Sequence, residues 1–313
     1  MVGLRKLLAI EKDFEISSRA DDILGQFKVN RKRNMPIVKY WGTEGYFMFP
    51  SENSYDVYRQ NGNEVGRLEG DGVGIPLLHI CFEFPTLGNS VGNSPSLMVW
   101  KYVLVAVGEG PPLIYHEIVK QGSKWWLYRV PFCEIYRHWS FNHREYRFTF
   151  PYDKFPTTNC TLKRTVANRD LYTYMGETSM RWHVPMPLLI DTDQYTLQIL
   201  DQSVPNLLDD STTAKHKRRL KTDRKSIEIA RYTRADRDFM PHRTSKRANL
   251  HVGEWSNAVA YGIQEVPWTT QVLACQGLLI HYIEHQRRES SSMKDGSRAA
   301  RRNQLNTQVN LFR

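Results

Sequence analysis

The chain has 313 residues, 41% hydrophobic and 12% aromatic, enough for one large domain with a sizeable core, which excludes wholesale disorder. Its net charge of +10 sits in the last third: from Lys215 onward 20 Lys and Arg face 9 Asp and Glu, whereas residues 1–214 hold 23 against 24. That asymmetry points to an anionic partner, whether lipid head groups, nucleic acid or an acidic protein.

Residues 1–36 carry mixed charge and end in a basic stretch, Arg31-Lys32-Arg33. They predict a partly flexible arm with a short helix over "GLRKLLAIEKDFE", whose apolar run is too short for a secretory signal. From Ile37 the texture becomes that of strands: "IVKYW" and "GYFMF" are short runs punctuated by Gly, Pro and Asn. "SYDVYRQNGNEVGRLEG" predicts a hairpin turning at Asn61-Gly62, a dipeptide suited to a type I′ turn. "PLLHICFEF" and "LMVWKYVLVAV" predict central strands buried on both faces. Then "LIYHEIV", "KWWLYRV", "EYRFTF", "CTLKRTV", "DLYTYM", "SMRWHV", "LLIDTD" and "YTLQILD" follow without helical periodicity. Such spacing predicts an antiparallel sandwich or barrel.

"SVPNLLDDSTTAKHKRRLKTDRK" breaks the pattern and predicts a long polar loop, after which "SIEIARYTR" resumes alternation with Ile227, Ile229 and Tyr232 inward. "ADRDFMPHRTSKRAN" predicts a second basic loop, and "LHVGEW" and "NAVAYGIQEV" the last strands. The segment "WTTQVLACQGLLIHYIEHQRRE" predicts a helix over 269–287, opened by Pro267 and a Thr cap and closed by Arg287 and Arg288 against its dipole. Its apolar section is too short and interrupted for a membrane span, so no transmembrane segment is expected. Yet Val272, Leu273, Cys275, Leu278, Leu279, Ile280 and Ile283 point in nearly every direction. A helix apolar all round is a buried helix, and in an all-β chain the way to surround it is a closed barrel. The expected fold is therefore all-β: a closed antiparallel barrel of about 12 strands around one hydrophobic C-terminal helix, spanning 37–288. Residues 289–313, rich in Ser and Arg, predict a disordered basic tail.

That architecture resembles the tubby C-terminal domain, shared with the LURP-one-related proteins and the phospholipid scramblases. The resemblance is carried by "YDVYRQNGNEVGRLEG", by "SIEIARYTR" and by "NAVAYGIQEVPWTTQVLACQGLLIHYIEHQRR". It implies a barrel wall that holds a phosphoinositide head group with basic side chains, although that basic set does not map residue by residue onto this chain. The Cys-rich segment and longer helix of scramblases are lacking, which argues against scrambling.

The sharpest charged feature is "KHKRRLKTDRK": Lys215, Lys217, Arg218, Arg219, Lys221, Arg224 and Lys225, opposed by Asp223. Three readings stay open: a patch for anionic membrane or phosphoinositide, a nuclear-localisation or nucleic-acid patch, and a solvated loop. Arg243, Lys246 and Arg247 form a secondary basic set. Asp191, Asp193 and Asp201 lack the Gly and Glu of a calcium loop, and His138 and His143 are poorly spaced for a shared metal. The aromatic run "KWWLYRVPFCEIYRHW" reads as barrel wall, with base stacking as the alternative. Cys81, Cys133, Cys160 and Cys275 form no CxxC pair and read as core residues of a reducing compartment. Nothing resembles a nucleophile elbow or a phosphate-cradling loop. The expectation is a non-enzymatic binding module without a cofactor, cytoplasmic and recruited peripherally to anionic phospholipid, with a nuclear or nucleic-acid-associated adaptor as the alternative.

Overall fold

The computed structural model describes residues 31–60, 74–82, 94–151, 160–165, 169–184, 194–200, 206, 208, 226–235, 244–254 and 266–311. Thirteen strands follow one another: β1 Arg31–Tyr40, β2 Tyr46–Met48, β3 Leu78–Phe82, β4 Leu97–Ala106, β5 Glu117–Gln121, β6 Trp125–Trp139 and β7 His143–Thr149. The series continues with β8 Cys160–Thr165, β9 Leu171–Met175, β10 Thr178–His183, β11 Gln194–Leu200, β12 Ser226–Arg234 and β13 Thr244–Glu254. Helix α1 spans Glu52–Gln60 and helix α2 spans Trp268–Leu311.

The antiparallel order β4-β3-β2-β1-β13-β12-β11-β10-β9-β8-β7-β6 closes on itself through β4–β6, from Leu97↔Ile135 to Ala106↔Trp125, giving the expected twelve-stranded barrel. Strand β5 adds to the free side of β6 beyond the end of β7, so β4, β5 and β6 extend past the barrel as a flap. Period-two alternation fills the interior: Tyr195, Leu197 and Ile199 of β11, Met180 and Trp182 of β10, and Ile227, Ile229 and Tyr232 of β12 all join one core. Leu97 to Trp100 of β4 are buried, but its second half is only half-buried, a departure from the expected two-sided burial that follows from its place in the flap.

Helix α2 is the axis of that core. Its side chains meet Tyr46 of β2, Arg137 of β6, Cys160 of β8, Trp182 of β10, Tyr195 of β11 and Tyr232 of β12. It passes so close to β13 that a Cβ on Gly277 would lie 2.8 Å from Leu250 Cδ2. At its first turn the buried Glu254 accepts Thr270 Oγ1 at 3.0 Å and both Arg33 Nε contacts at 3.0 and 2.9 Å, and pairs with Arg31. A carboxylate there also faces the positive end of the helix dipole.

Several expectations need correction. The segment expected as a hairpin is helical over Glu52–Gln60, with residues 61–73 outside the described set. Ser51 Oγ accepts the Ser54 N–H at 3.0 Å as a cap, and Tyr55 and Tyr58, three apart, pack on Phe49 outside the barrel. One of the three stretches that carry the tubby-like resemblance is thus not the expected hairpin. Strand β13 begins at Thr244, inside the expected second loop, because Ala248 and Leu250 continue the inward alternation. Strand β5 begins at Glu117, leaving Leu113, Ile114 and Tyr115 exposed before it. The axial helix, expected over 269–287 with a disordered tail beyond, keeps a helical backbone to Leu311. No proline interrupts that continuation. Residues 31–36, expected in the arm, form the first part of β1 because Arg33 and Met35 alternate inward; residues 1–30 of the arm and the segments "LLIDTD" at 188–193 and "NAVAYGIQEV" at 257–266, except Val266, lie outside the described residues.

Replacing Gly277 by Val places branched carbon against Leu250 inside a full barrel, where overpacking costs about 1–3 kcal/mol. Urea denaturation of Gly277→Val should show a lower midpoint with an unchanged slope. An unchanged midpoint would contradict the close helix–β13 approach.

Candidate functional site

Tracing strand ends through the registers separates two barrel ends. Tyr40↔Thr244, Arg234↔Ala248, Gln194↔Thr233 and His143↔Thr165 place the β1–β2 turn, the β6–β7 turn and the end of β12 at one mouth. The other end holds the start of α2, beside Glu254, Phe132 and Phe150. The helix therefore leaves the barrel through the first mouth.

The polar residues of α2 cluster toward that mouth. Gln276, within the core, accepts Trp182 Nε1 at 2.7 Å and reaches Cys160 Sγ at 3.0 Å. His281 Nδ1 lies 2.8 Å from Tyr232 Oη, and its ring meets Tyr46 edge-on at 4.3 Å. Glu284 is buried, accepts Arg169 Nη2 at 3.0 Å and Arg287 Nε at 2.8 Å, and is bonded by the Tyr195 hydroxyl. Arg137 Nη2 reaches Tyr282 Oη at 3.5 Å from β6.

Around these stand partly exposed cations. Lys39 donates to the carbonyls of Thr43 and Gly45 at 2.7 and 3.1 Å, holding the β1–β2 turn and lying over the Tyr46 ring. Gly45 is required there, since its φ is +77° and a Cβ would strike the Ile80 carbonyl. Arg247 is the extra residue of a β-bulge: Ile37 faces Ala248 while Val38 faces Lys246. The bulge puts Lys246 outside, paired with Glu52 of α1, and leaves Arg247 beside the mouth.

Burial pushes the His281 imidazole down to about 3, and the nearby charges of His285, Arg234 and Arg247 push the same way. His285, half-exposed, is lowered chiefly by burial, opposed by Glu289 and reinforced by Lys39, Arg234 and Arg247. Two histidines on successive helical turns thus report a positive potential from three different strands. Burial also raises the Tyr46 hydroxyl. Those charges disfavour protonation of both imidazoles.

The sequence-derived set is only partly placed. Lys215, Lys217, Arg218, Arg219, Lys221, Arg224, Lys225 and Arg243 lie outside the described residues, as do Asp191, Asp193 and Asp201. The strand ends flanking the first loop, Leu200↔Ser226, stand at the end opposite the mouth, whereas Thr244 stands at the mouth. Lys246 and Arg247, expected in a loop, are strand residues facing different sides. Ring centroids of His138 and His143 are 6.4 Å apart on the β6–β7 hairpin. Among the described residues no three metal-ligating side chains come together, and no helix is long and apolar enough to cross a membrane. The mouth residues Lys39, Arg137, Arg169 and Arg234 escaped sequence reasoning because they lie far apart in the chain; His281 and Glu284 were visible only as polar interruptions of an apolar helix.

With this geometry in view, the chain belongs to the DIA1 family, whose model matches residues 30–289. It is similar to three proteins of Saccharomyces cerevisiae. The uncharacterized protein YOR385W is 36% identical, with 83% of this chain and 89% of the relative covered. Protein DIA1 is 32% identical, with 90% and 87% covered. The uncharacterized protein YNL165W is 25% identical, with 85% and 74% covered. No solved structure gives a significant match.

As pH falls below 6.5 the unfolded chain takes up a proton that folded His281 refuses until about 3, so stability is full above that window and is lost through it. The contribution is about 1.4 kcal/mol per pH unit. Urea midpoints at pH 7.5, 5.5 and 4.5 should therefore fall less steeply for His281→Gln than for the native chain. Parallel slopes would contradict a neutral buried imidazole.

Proposed function

We propose that this chain is a non-enzymatic binding module that docks peripherally on anionic membrane, and that the barrel mouth from which α2 leaves is its docking end. The observation that carries this reading is the set of cations at the mouth, Lys39, Arg137, Arg144, Arg234 and Arg247 on separate strands and Arg169 just before β9, around a helix whose continuation holds Arg287 and Arg288. Among the described residues the acids at this end, Glu44, Glu145, Asp170, Glu284 and Glu289, are fewer than the cations; Glu284 is already held by Arg169 and Arg287, and Asp170 by Arg181 and His183. Lys and Arg close to an anionic surface contribute about 1 kcal/mol each, so a set of this size suffices for reversible recruitment without a lipid anchor. Phosphoinositides, with several phosphates on one head group, suit Arg forks best. The barrel threaded by a helix supports the tubby-like relation, in which a head group meets basic side chains. A cytoplasmic setting suits the four cysteines, which are free thiols.

The basic loop 215–225 remains a second candidate contact in the same proposal. Flotation with vesicles carrying 5% phosphoinositide, about 20% phosphatidylserine or neutral lipid alone separates the two. Native protein is expected to float only with the anionic vesicles and to lose binding steeply between 0.1 and 0.5 M salt, as screening shortens the Debye length from roughly 10 to 4 Å. Arg144→Glu/Arg234→Glu/Arg247→Glu should abolish flotation, whereas alanine at Lys217, Arg218, Arg219, Arg224 and Lys225 should weaken it less. The reverse ranking would move the docking surface to the loop, and flotation by neither vesicle would remove the membrane reading.

A further inference from the structure

The mouth also carries aromatic side chains in water. Trp41, in the β1–β2 turn, is 88% exposed; Trp139 and Phe141, at the β6–β7 tip, are 60% and fully exposed. Among the described residues at this end, Tyr46, Tyr146, Tyr195 and Tyr232 are buried. Apolar exposure of this size is uncommon on turns with no partner to cover it. The two turns belong to one arc of the rim, since β2, β3, β4 and β6 are consecutive neighbours around the barrel.

Cations stand beside the Trp139 ring and in the turn that bears Trp41. Arg137 and Arg144 lie over the Trp139 ring at 5.5 and 5.2 Å, and Lys39 braces the turn that presents Trp41. Rings flanked by guanidinium groups match the layering of a bilayer surface, where indole sits at the head-group boundary and cations meet phosphate just above it. Single-stranded nucleic acid is matched less well. Base stacking needs rings lying along a groove, whereas Trp41 and Phe141 occupy turns at the ends of hairpins.

We propose that Trp41, Trp139 and Phe141 form an interfacial wedge that enters the outer few ångströms of an anionic bilayer. This rests on the docking reading above and deepens it from electrostatic adsorption to shallow insertion. Because α2 continues through the mouth, the barrel meets the surface on the arc that bears these three residues, with its axis inclined rather than upright.

The test is tryptophan quenching by phosphatidylserine-containing vesicles whose acyl chains are brominated near the head group, run beside flotation. The native chain should be quenched on binding, and Trp41→Phe/Trp139→Phe, whose phenyl rings still insert, should float with at most a severalfold loss of affinity but lose most of that quenching. Trp41→Ala/Trp139→Ala/Phe141→Ala should bind roughly tenfold more weakly or worse, with Leu at the three positions restoring part of the affinity. All three side chains are exposed, so folding should be unchanged by near-UV circular dichroism and denaturation midpoint. Flotation without quenching would overturn insertion and leave adsorption standing. Absence of flotation would overturn both. Tight binding of a single-stranded oligothymidylate that quenches the same two tryptophans, without vesicle binding, would assign the wedge to base stacking instead.

Discussion

A helix apolar around its whole circumference has no stable place in water except inside something else, and the rest of this molecule is arranged to meet that demand. Twelve strands must close, because an open sheet covers one side of a helix only. Closure in turn removes the unpaired edges that so many strands would otherwise present. Apolar packing alone leaves such a helix free to slide or rotate; its buried polar groups do not. Gln276 reaches β8 and β10, His281 reaches β12, and Glu284 reaches β11 and Arg169, so any turn about the axis breaks several hydrogen bonds at once. At the opposite end Glu254, bound by Arg33 and Thr270, fixes the first turn.

The same arrangement concentrates charge at one mouth. Glu284 draws Arg169 and Arg287 inward, while the neutral His281 below it adds no positive charge to the core. Cations that hold the helix in register thus also shape the field outside. Exposed aromatics on the neighbouring turns add apolar area where that field is positive. On the proposed reading, docking takes place at the point where the core helix emerges, with no need of a cleft.

How much of this was legible in the chain follows from which physics is local. Helix burial was legible because seven apolar side chains within one 12-residue stretch leave no polar face. Strands such as β11 and β12 were legible through alternation. Helix α1 was misread because Tyr55 and Val57 alternate like a strand, while the facts that decide the matter, the Ser51 cap and the packing of Tyr58 on Tyr40 and Phe49, depend on tertiary neighbours. The start of β13 was hidden because Lys246 and Arg247 read as loop charge; a bulge sends them to different sides. The mouth itself could not be read, since Lys39, Arg137, Arg169 and Arg234 come together only when the barrel closes. Trp139 lies in an aromatic run that reads as barrel wall, and only the end of β6 shows that it stands at the rim.

Hydrogen–deuterium exchange of the protein free and bound to phosphatidylserine and phosphoinositide vesicles tests the central claim most directly, because it compares every surface at once. The account predicts new protection in peptides covering the β1–β2 turn at 41–45 and the β6–β7 turn at 139–143, with the β4–β5–β6 flap unchanged. Protection confined to peptides between 201 and 225, with both turns exchanging as in the free protein, would contradict it.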